Sequence, residues 1–197
     1  MSKQAFETKE YAKRAQEYAE EKLGGTLLEH VLGCADTAEK LARKFGCDED
    51  KAAAACYLHD VAKPMPHDSR VARARELGMT PAKIQSYLPP VLHGPVAALI
   101  ANKELGIDDP EILEAVEFHS TGRAGMGKLG KVIFVADFIE FTRVFPGAAE
   151  LRSHGALTLD ELAMAILRRK LEHLLRENRP IDRHAIEFWN DLTKKTQ

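Results

Sequence analysis

The residues of this 197-residue chain best suited to metal chemistry are His30, His59, Asp60, His93, His119 and Asp137. Their settings say more than their types. The pair His59-Asp60 follows the apolar run AAAACYL, and Asp137 is flanked by IFVA and FI. An ionised carboxylate in such surroundings is very costly unless it is paired or binds a metal. Two buried carboxylates and up to four imidazoles share one solution, a site for one or two divalent cations. Imidazole with carboxylate suits iron, manganese or zinc and needs no thiolate. Taken singly, a histidine on an apolar helix face is more often a hydrogen-bonded core residue, and a buried aspartate more often a cap or an ion-pair partner. The ordered set His … His-Asp … Asp is far less expected by chance.

Helices must position these groups. Residues 5–22 are rich in Ala, Glu and Lys, which favour a helix. Gly24-Gly25 breaks it, with Thr26 as a candidate N-cap for the next. Leu27, Val31, Cys34, Ala38, Leu41 and Phe45 then follow helical spacing, and Gly46 is a C-cap. Asp48 caps the Ala-rich third helix, which Pro64 and Pro66 stop. A short helix is expected near 69–77, another from Thr80-Pro81, and one from Gly94-Pro95 to about Leu105. Asp108-Asp109-Pro110 opens a helix to about His119, and 120–127 is a loop. A helix then runs through Val135, Asp137 and Phe141 until Pro146-Gly147. An amphipathic helix spans Thr158 to Glu177, and Pro180 starts the last one. VIFVADF has strand-like residue types but no second strand to pair with. The expected fold is all-α, a single domain over 1–197. Residues 1–25 form an extra helix, 26–150 the metal-site core and 151–197 the C-terminal helices. His30, His59-Asp60, His93, His119 and Asp137 fall on different helices or helix ends, and helices of a bundle can aim such groups at one point.

At this point the chain resembles a known family. The blocks LLEHVLGCADTAEKLARKFG, CYLHDVAKPMP, VLHGPVAALIANKELGI, EFHSTGR, KVIFVADFIEFTRVFPGAAELR and ENRPID, together spanning about 26–183, are similar to the HD superfamily of metal-dependent phosphohydrolases. Within it they resemble the YqeK-type symmetrical diadenosine tetraphosphate hydrolases. The resemblance implies an all-α iron enzyme that cuts diadenosine tetraphosphate at its middle into two ADP. It implies that His30, His59, Asp60 and Asp137 hold the metal, one ion with room for a second. His93 and His119 match the family's other histidines and would ligate a second metal or, the favoured reading, contact phosphate; Asp60, His93 and His119 are the expected catalytic residues. Leu27 lies where family members often carry a basic residue, and the loop AGMGKLGK is unusually rich in glycine.

A divalent cation lowers the pKa of bound water toward ~7 and polarises the attacked phosphoryl group. An imidazole with a pKa near ~6.5 suits protonation of the leaving ADP. The phosphate chain needs cations. Lys63, one turn after Asp60, and Arg143 are the better candidates and Arg123 the weaker. Gly94, Ser120 and Thr121 complete the expected substrate contacts.

Other readings weigh less. A different HD phosphohydrolase, acting on a mononucleotide or cyclic nucleotide, is one alternative. A nucleotide-binding regulatory module with little turnover is another, and the intact ligand set argues against it. Gly122 to Lys128 fits GxxxxGK, but Leu129 replaces the Ser or Thr of a phosphate-binding loop and no strand precedes it. His67, His154, His173 and His184 lie in polar or loop settings and are expected at the surface. The net charge of −2 gives no strong field for nucleic acid. No apolar run approaches the ~20 residues of a membrane span. Cys34, Cys47 and Cys56 form no paired framework, and the first residues have no apolar signal core, so a cytoplasmic, reducing setting is expected. The expected partner is the nucleotide, with neither nucleic acid nor membrane, and a homodimer is compatible with the sequence.

Overall fold

A computed structural model describes residues 3–153 and 156–194. Its elements are α1 (Lys3–Lys22), α2 (Gly25–Phe45), α3 (Glu49–Leu58), α4 (His67–Glu76), α5 (Pro81–Gln85), a 3₁₀ turn (Pro89–Val91), α6 (His93–Lys103), α7 (Pro110–Phe118), α8 (Lys128–Ile139), α9 (Pro146–Ser153), α10 (Leu159–Arg176) and α11 (Arg183–Lys194). No strand occurs among the described residues. The all-α expectation holds, and VIFVADF is helix.

Two helices run through the core. In α8 the stretch Leu129 to Ala136 is buried without a break. A helix apolar on all sides must be enclosed on all sides, and α2, α7 and α10 surround it. The Ala-rich α3 is the second: Lys51 to Cys56 and Leu58 are buried. Its small side chains let α1 and α2 approach closely, and Ala15 and Ala19 of α1 are fully buried. Tyr11 of α1 donates to Asp108 at 2.7 Å and Arg14 to the Leu105 carbonyl at 2.6 Å, tying the first helix to the loop before α7. The extra N-terminal helix is therefore part of the core.

Local signals set most boundaries. Asp48, Thr80, Asp109 and Thr158 cap their helices through the side chain, and Thr158 with Glu161 forms a capping box. Gly46 ends α2 in the left-handed conformation. Four expectations change. The N-cap of α2 is Gly24 rather than Thr26, which already lies inside the helix. The last helix begins at Arg183, three residues after Pro180, because Asp182 accepts from the His184 N–H at 2.9 Å and sets its start. Helix α8 ends at Ile139, not beyond Phe141, because Glu140 leaves the helical conformation. Pro146 then starts a new helix, α9, instead of closing the old one. No helix of the described residues is long and apolar enough to cross a membrane.

Candidate metal centre

Three of the four histidines are set by one local device. His59 caps α3, His119 caps α7, and His93 opens α6 directly after the 3₁₀ turn. Each ring places Nδ1 on the carbonyl three residues back: His59 on Cys56 at 2.6 Å, His93 on Pro90 at 2.8 Å, His119 on Val116 at 2.8 Å. A carbonyl only accepts, so Nδ1 is the donor and Nε2 faces inward. These bonds also satisfy carbonyls that a helix end leaves without partners. His30 lies inside α2, where such carbonyls are used. Its Nδ1 instead meets Glu140 Oε1 at 3.0 Å, across 110 residues of sequence.

The Nε2 atoms converge. Those of His30 and His59 are 3.3 Å apart, and those of His93 and His119 are 3.0 Å apart. Asp60, fully buried, stands between the two pairs. Its Oδ2 is 3.4 Å from His59 and 3.8 Å from His30, and its Oδ1 is 3.3 Å from His93 and 3.5 Å from His119. Asp137 Oδ1 is 3.2 Å from His30 Nε2 and 3.9 Å from His59 Nε2. Two sets, His30–His59–Asp137 and His59–Asp60–His119, each bring one ligand atom per residue within 4.8 Å of the others. Asp60 Oδ1 is buried with no hydrogen-bond partner. Inward-facing imidazole nitrogens around an orphaned carboxylate oxygen fit a divalent cation.

The ligand side chains shift one another's affinity for protons. Burial alone would lower His59, but the adjoining Asp60 carboxylate overrides this and raises it to about 9. Burial lowers His119 to about 4, with Asp60 opposing and the charges of His59 and His93 reinforcing. Despite burial, His59 and the other imidazoles hold Asp60 well below the usual carboxylate range. His30 and Lys170 do the same for Asp137.

Two of the three expected cations reach the cluster. Lys63 Nζ is 2.7 Å from Asp60 Oδ2, and Arg143 Nη2 is 2.8 Å from Asp137 Oδ1. Arg143 sits on the turn after α8, which Arg152 of α9 holds by donating to the carbonyls of Ile139, Glu140 and Arg143. Arg123 instead pairs with Glu114 and lies over the Phe118 ring. Ser120 Oγ is 2.9 Å from His119 Nε2 and 3.3 Å from His93 Nε2, while the Thr121 hydroxyl donates to the Gly122 carbonyl. Gly94 is buried where α6 crosses α7: a Cβ there would lie 2.6 Å from the Glu117 carbonyl oxygen. Of the histidines expected at the surface, His67 and His173 are exposed and His154 lies outside the described residues. His184 is buried, a correction: its ring stacks on Tyr87 and its Nδ1 lies 2.7 Å from Asp182 Oδ1.

Sequence reasoning missed two residues. Glu140 is fully buried and orients His30; Thr142 donates to it through both backbone and hydroxyl. Its signal was a second carboxylate, one turn after Asp137, inside VIFVADFIEF. Lys170 of α10 places Nζ 3.8 Å from Asp137 Oδ2 and donates to the Ser120 carbonyl at 3.2 Å. Burial lowers its pKa, with Asp137 opposing. Nothing local marked it out in an amphipathic helix.

The model of the HD domain matches residues 27–182, which contain every residue of the cluster. The symmetrical bis(5'-nucleosyl)-tetraphosphatase of Bacillus subtilis is 37% identical over 153 residues, covering 77% of this chain and 81% of its own. That of Staphylococcus aureus is 35% identical over 181 residues, covering 90% and 92%. This chain belongs to the HD family, in the branch of the symmetrical bis(5'-nucleosyl)-tetraphosphatases. A solved structure from Clostridium acetobutylicum, described as a predicted HD superfamily hydrolase involved in NAD metabolism, shares the fold. It is 31% identical with a TM-score of 0.84 and covers 93% of this chain and 97% of its own. The HD-family placement and the His/Asp cluster together make this a divalent-metal protein.

Proposed function

We propose that the protein is a hydrolase that cuts diadenosine tetraphosphate symmetrically into two ADP. The observation that carries this is the convergence of four imidazoles on Asp60, with Asp137 beside them and Lys63 and Arg143 on the same carboxylates. The names of the relatives over most of the chain supply the substrate.

In this reading His30, His59, Asp60 and Asp137 would hold one ion, and Asp60, His93 and His119 would hold a second. Iron is the metal we assign on the family resemblance; imidazole with carboxylate suits it, as it suits manganese and zinc. The bound metal supplies Lewis acidity and an activated water. His93 and His119 present Nε2 to the cluster because Nδ1 of each is held on a main-chain carbonyl, and there they would ligate an ion or meet the substrate's phosphate. Asp60, which lies between the two imidazole pairs, would be the ligand common to both. Lys63 and Arg143, part-exposed at the cluster, neutralise the phosphate chain, Arg143 with the planar fork that matches phosphate oxygens. Ser120 adds a hydroxyl beside it, whereas the Thr121 hydroxyl already donates to the Gly122 carbonyl. The partner is the nucleotide; near-neutral charge gives no reason to add nucleic acid or membrane, and the chemistry belongs in the cytoplasm as one 1–197 domain. A homodimer would leave each site complete, because every cluster residue comes from one chain.

The test is product analysis. Protein purified anaerobically and assayed for bound metal is incubated with diadenosine tetraphosphate. Two ADP per substrate is the expected result; ATP plus AMP, or no products from metal-loaded protein, would overturn the reading.

A further inference from the structure

A cavity of about 300 Å³ lies beside the cluster, between the 3₁₀ turn, α10 and the segment leading into α11. Its walls are apolar: Leu88, Pro90 and Val91 on one side, Leu167, Leu171 and Leu174 of α10 on the other. Asp182 also lines it, but that carboxylate is occupied by the Leu88 N–H at 3.1 Å and by His184. It fastens the α11 segment to the 3₁₀ turn and so builds the wall. An apolar cleft with a few convergent polar groups is the usual form of a small-molecule site, and this volume is at the low end of the range, room for one nucleoside rather than two.

Two lining residues also belong to the metal centre. Ser120 reaches the Nε2 atoms of His93 and His119, and Lys170 approaches Asp137. The cleft therefore opens onto the cluster. A ligand that fills both must be flat and apolar at one end and anionic at the other. Lys170 is well placed at the junction. Its ammonium lies 4.3 Å from the centre of the Phe134 ring, which holds it by a cation–π contact. One of its three N–H donors goes to the Ser120 carbonyl, and Asp137 at 3.8 Å is beyond hydrogen-bonding distance, so donors remain for phosphate.

We propose that this cleft seats one nucleoside of the substrate and that Lys170 binds the phosphate next to it. The proposal rests on the hydrolase reading above. It explains symmetrical cleavage by length. With one nucleoside fixed in the cleft, the distance to the cluster counts the phosphates, and the bond presented for attack is the one that leaves two of them on the seated nucleoside.

The test is calorimetric titration of the metal-loaded full chain with ADP and with pyrophosphate. The wild-type protein should bind ADP at least about tenfold more tightly than pyrophosphate. Leu171→Trp and Leu174→Trp, both at partly exposed positions, fill the cleft and should each abolish that margin while pyrophosphate affinity stays the same. Lys170→Met should weaken both ligands about tenfold with metal content unchanged, and Lys170→Arg should restore pyrophosphate binding. Two folded tryptophan variants that keep the margin would overturn the proposal, as would a wild-type protein with no preference for ADP. A margin that depends on the cleft, in a protein that releases no ADP from diadenosine tetraphosphate, would instead sink the reaction and leave the nucleoside site standing.

Discussion

The two halves of the metal centre are built differently. On one side His30 is backed by the buried carboxylate of Glu140, and Asp137 is flanked by Arg143 and Lys170. On the other side His93 and His119 are backed only by main-chain carbonyls, with Ser120 beside them. A carboxylate behind an imidazole makes it a more basic ligand than a carbonyl does. Of the two ions proposed above, the one in the first half should be held more tightly and the other should exchange more readily. Asp60 divides its two oxygens between them, so the unequal halves share one anion.

Removing the shared anion is the largest perturbation. Asp60→Ala should release metal from both halves and lower hydrolysis by at least about 10³-fold, the scale of losing a principal electrostatic group. Metal analysis alongside ADP release checks it, and an active, metal-loaded variant would refute the bridging role. Next come the halves themselves. Glu140→Gln should weaken metal binding at the His30 side by about 10- to 100-fold. His93→Ala should cost one ion and spare the tight one. Titration of metal-free protein with Fe(II) separates the two, and an equal loss in both variants would erase the asymmetry.

Acidity sharpens the same contrast. In metal-free protein His59 is raised to about 9, so at neutral pH it carries a proton that the ion must displace. His119, lowered to about 4, carries none. Affinity at the His59 side should fall as pH drops below about 9, by up to about tenfold per unit, and binding should release a proton. Calorimetry in buffers of different ionisation enthalpy measures that release, and zero release at pH 7 would contradict it. The smallest effect belongs to Arg143→Ala, which should raise KM or lower kcat about tenfold with metal retained. Loss of metal instead would make the arginine a structural support for Asp137.

Much of the cluster could be read from the chain because its local rules are local in space. A histidine that ends a helix can bond the carbonyl three residues back, and His59 and His119 do so with no help from distant sequence. Caps at Asp48, Asp109 and Thr158 follow from side chains one turn away. The end of α8 was misplaced for the opposite reason. Glu140 turns out of the helix to meet His30, and Arg152, from a helix the sequence did not reveal, holds the turn it leaves.

Charge partners were the least legible. Lys63, Arg143 and Arg123 look alike as residues near the motifs, yet Glu114 takes Arg123 while the other two reach Asp60 and Asp137. His184 sits in polar sequence, but Asp182 and Tyr87 enclose it.

The sequence by itself determined the all-helical fold, the residue types of the cluster and their order, because helix signals and buried polar residues are properties of short segments. Only the tertiary structure decided which atoms meet. It put Glu140 behind His30, Lys170 beside Asp137 and an apolar cleft next to both, since each of these depends on helices far apart in sequence packing side by side.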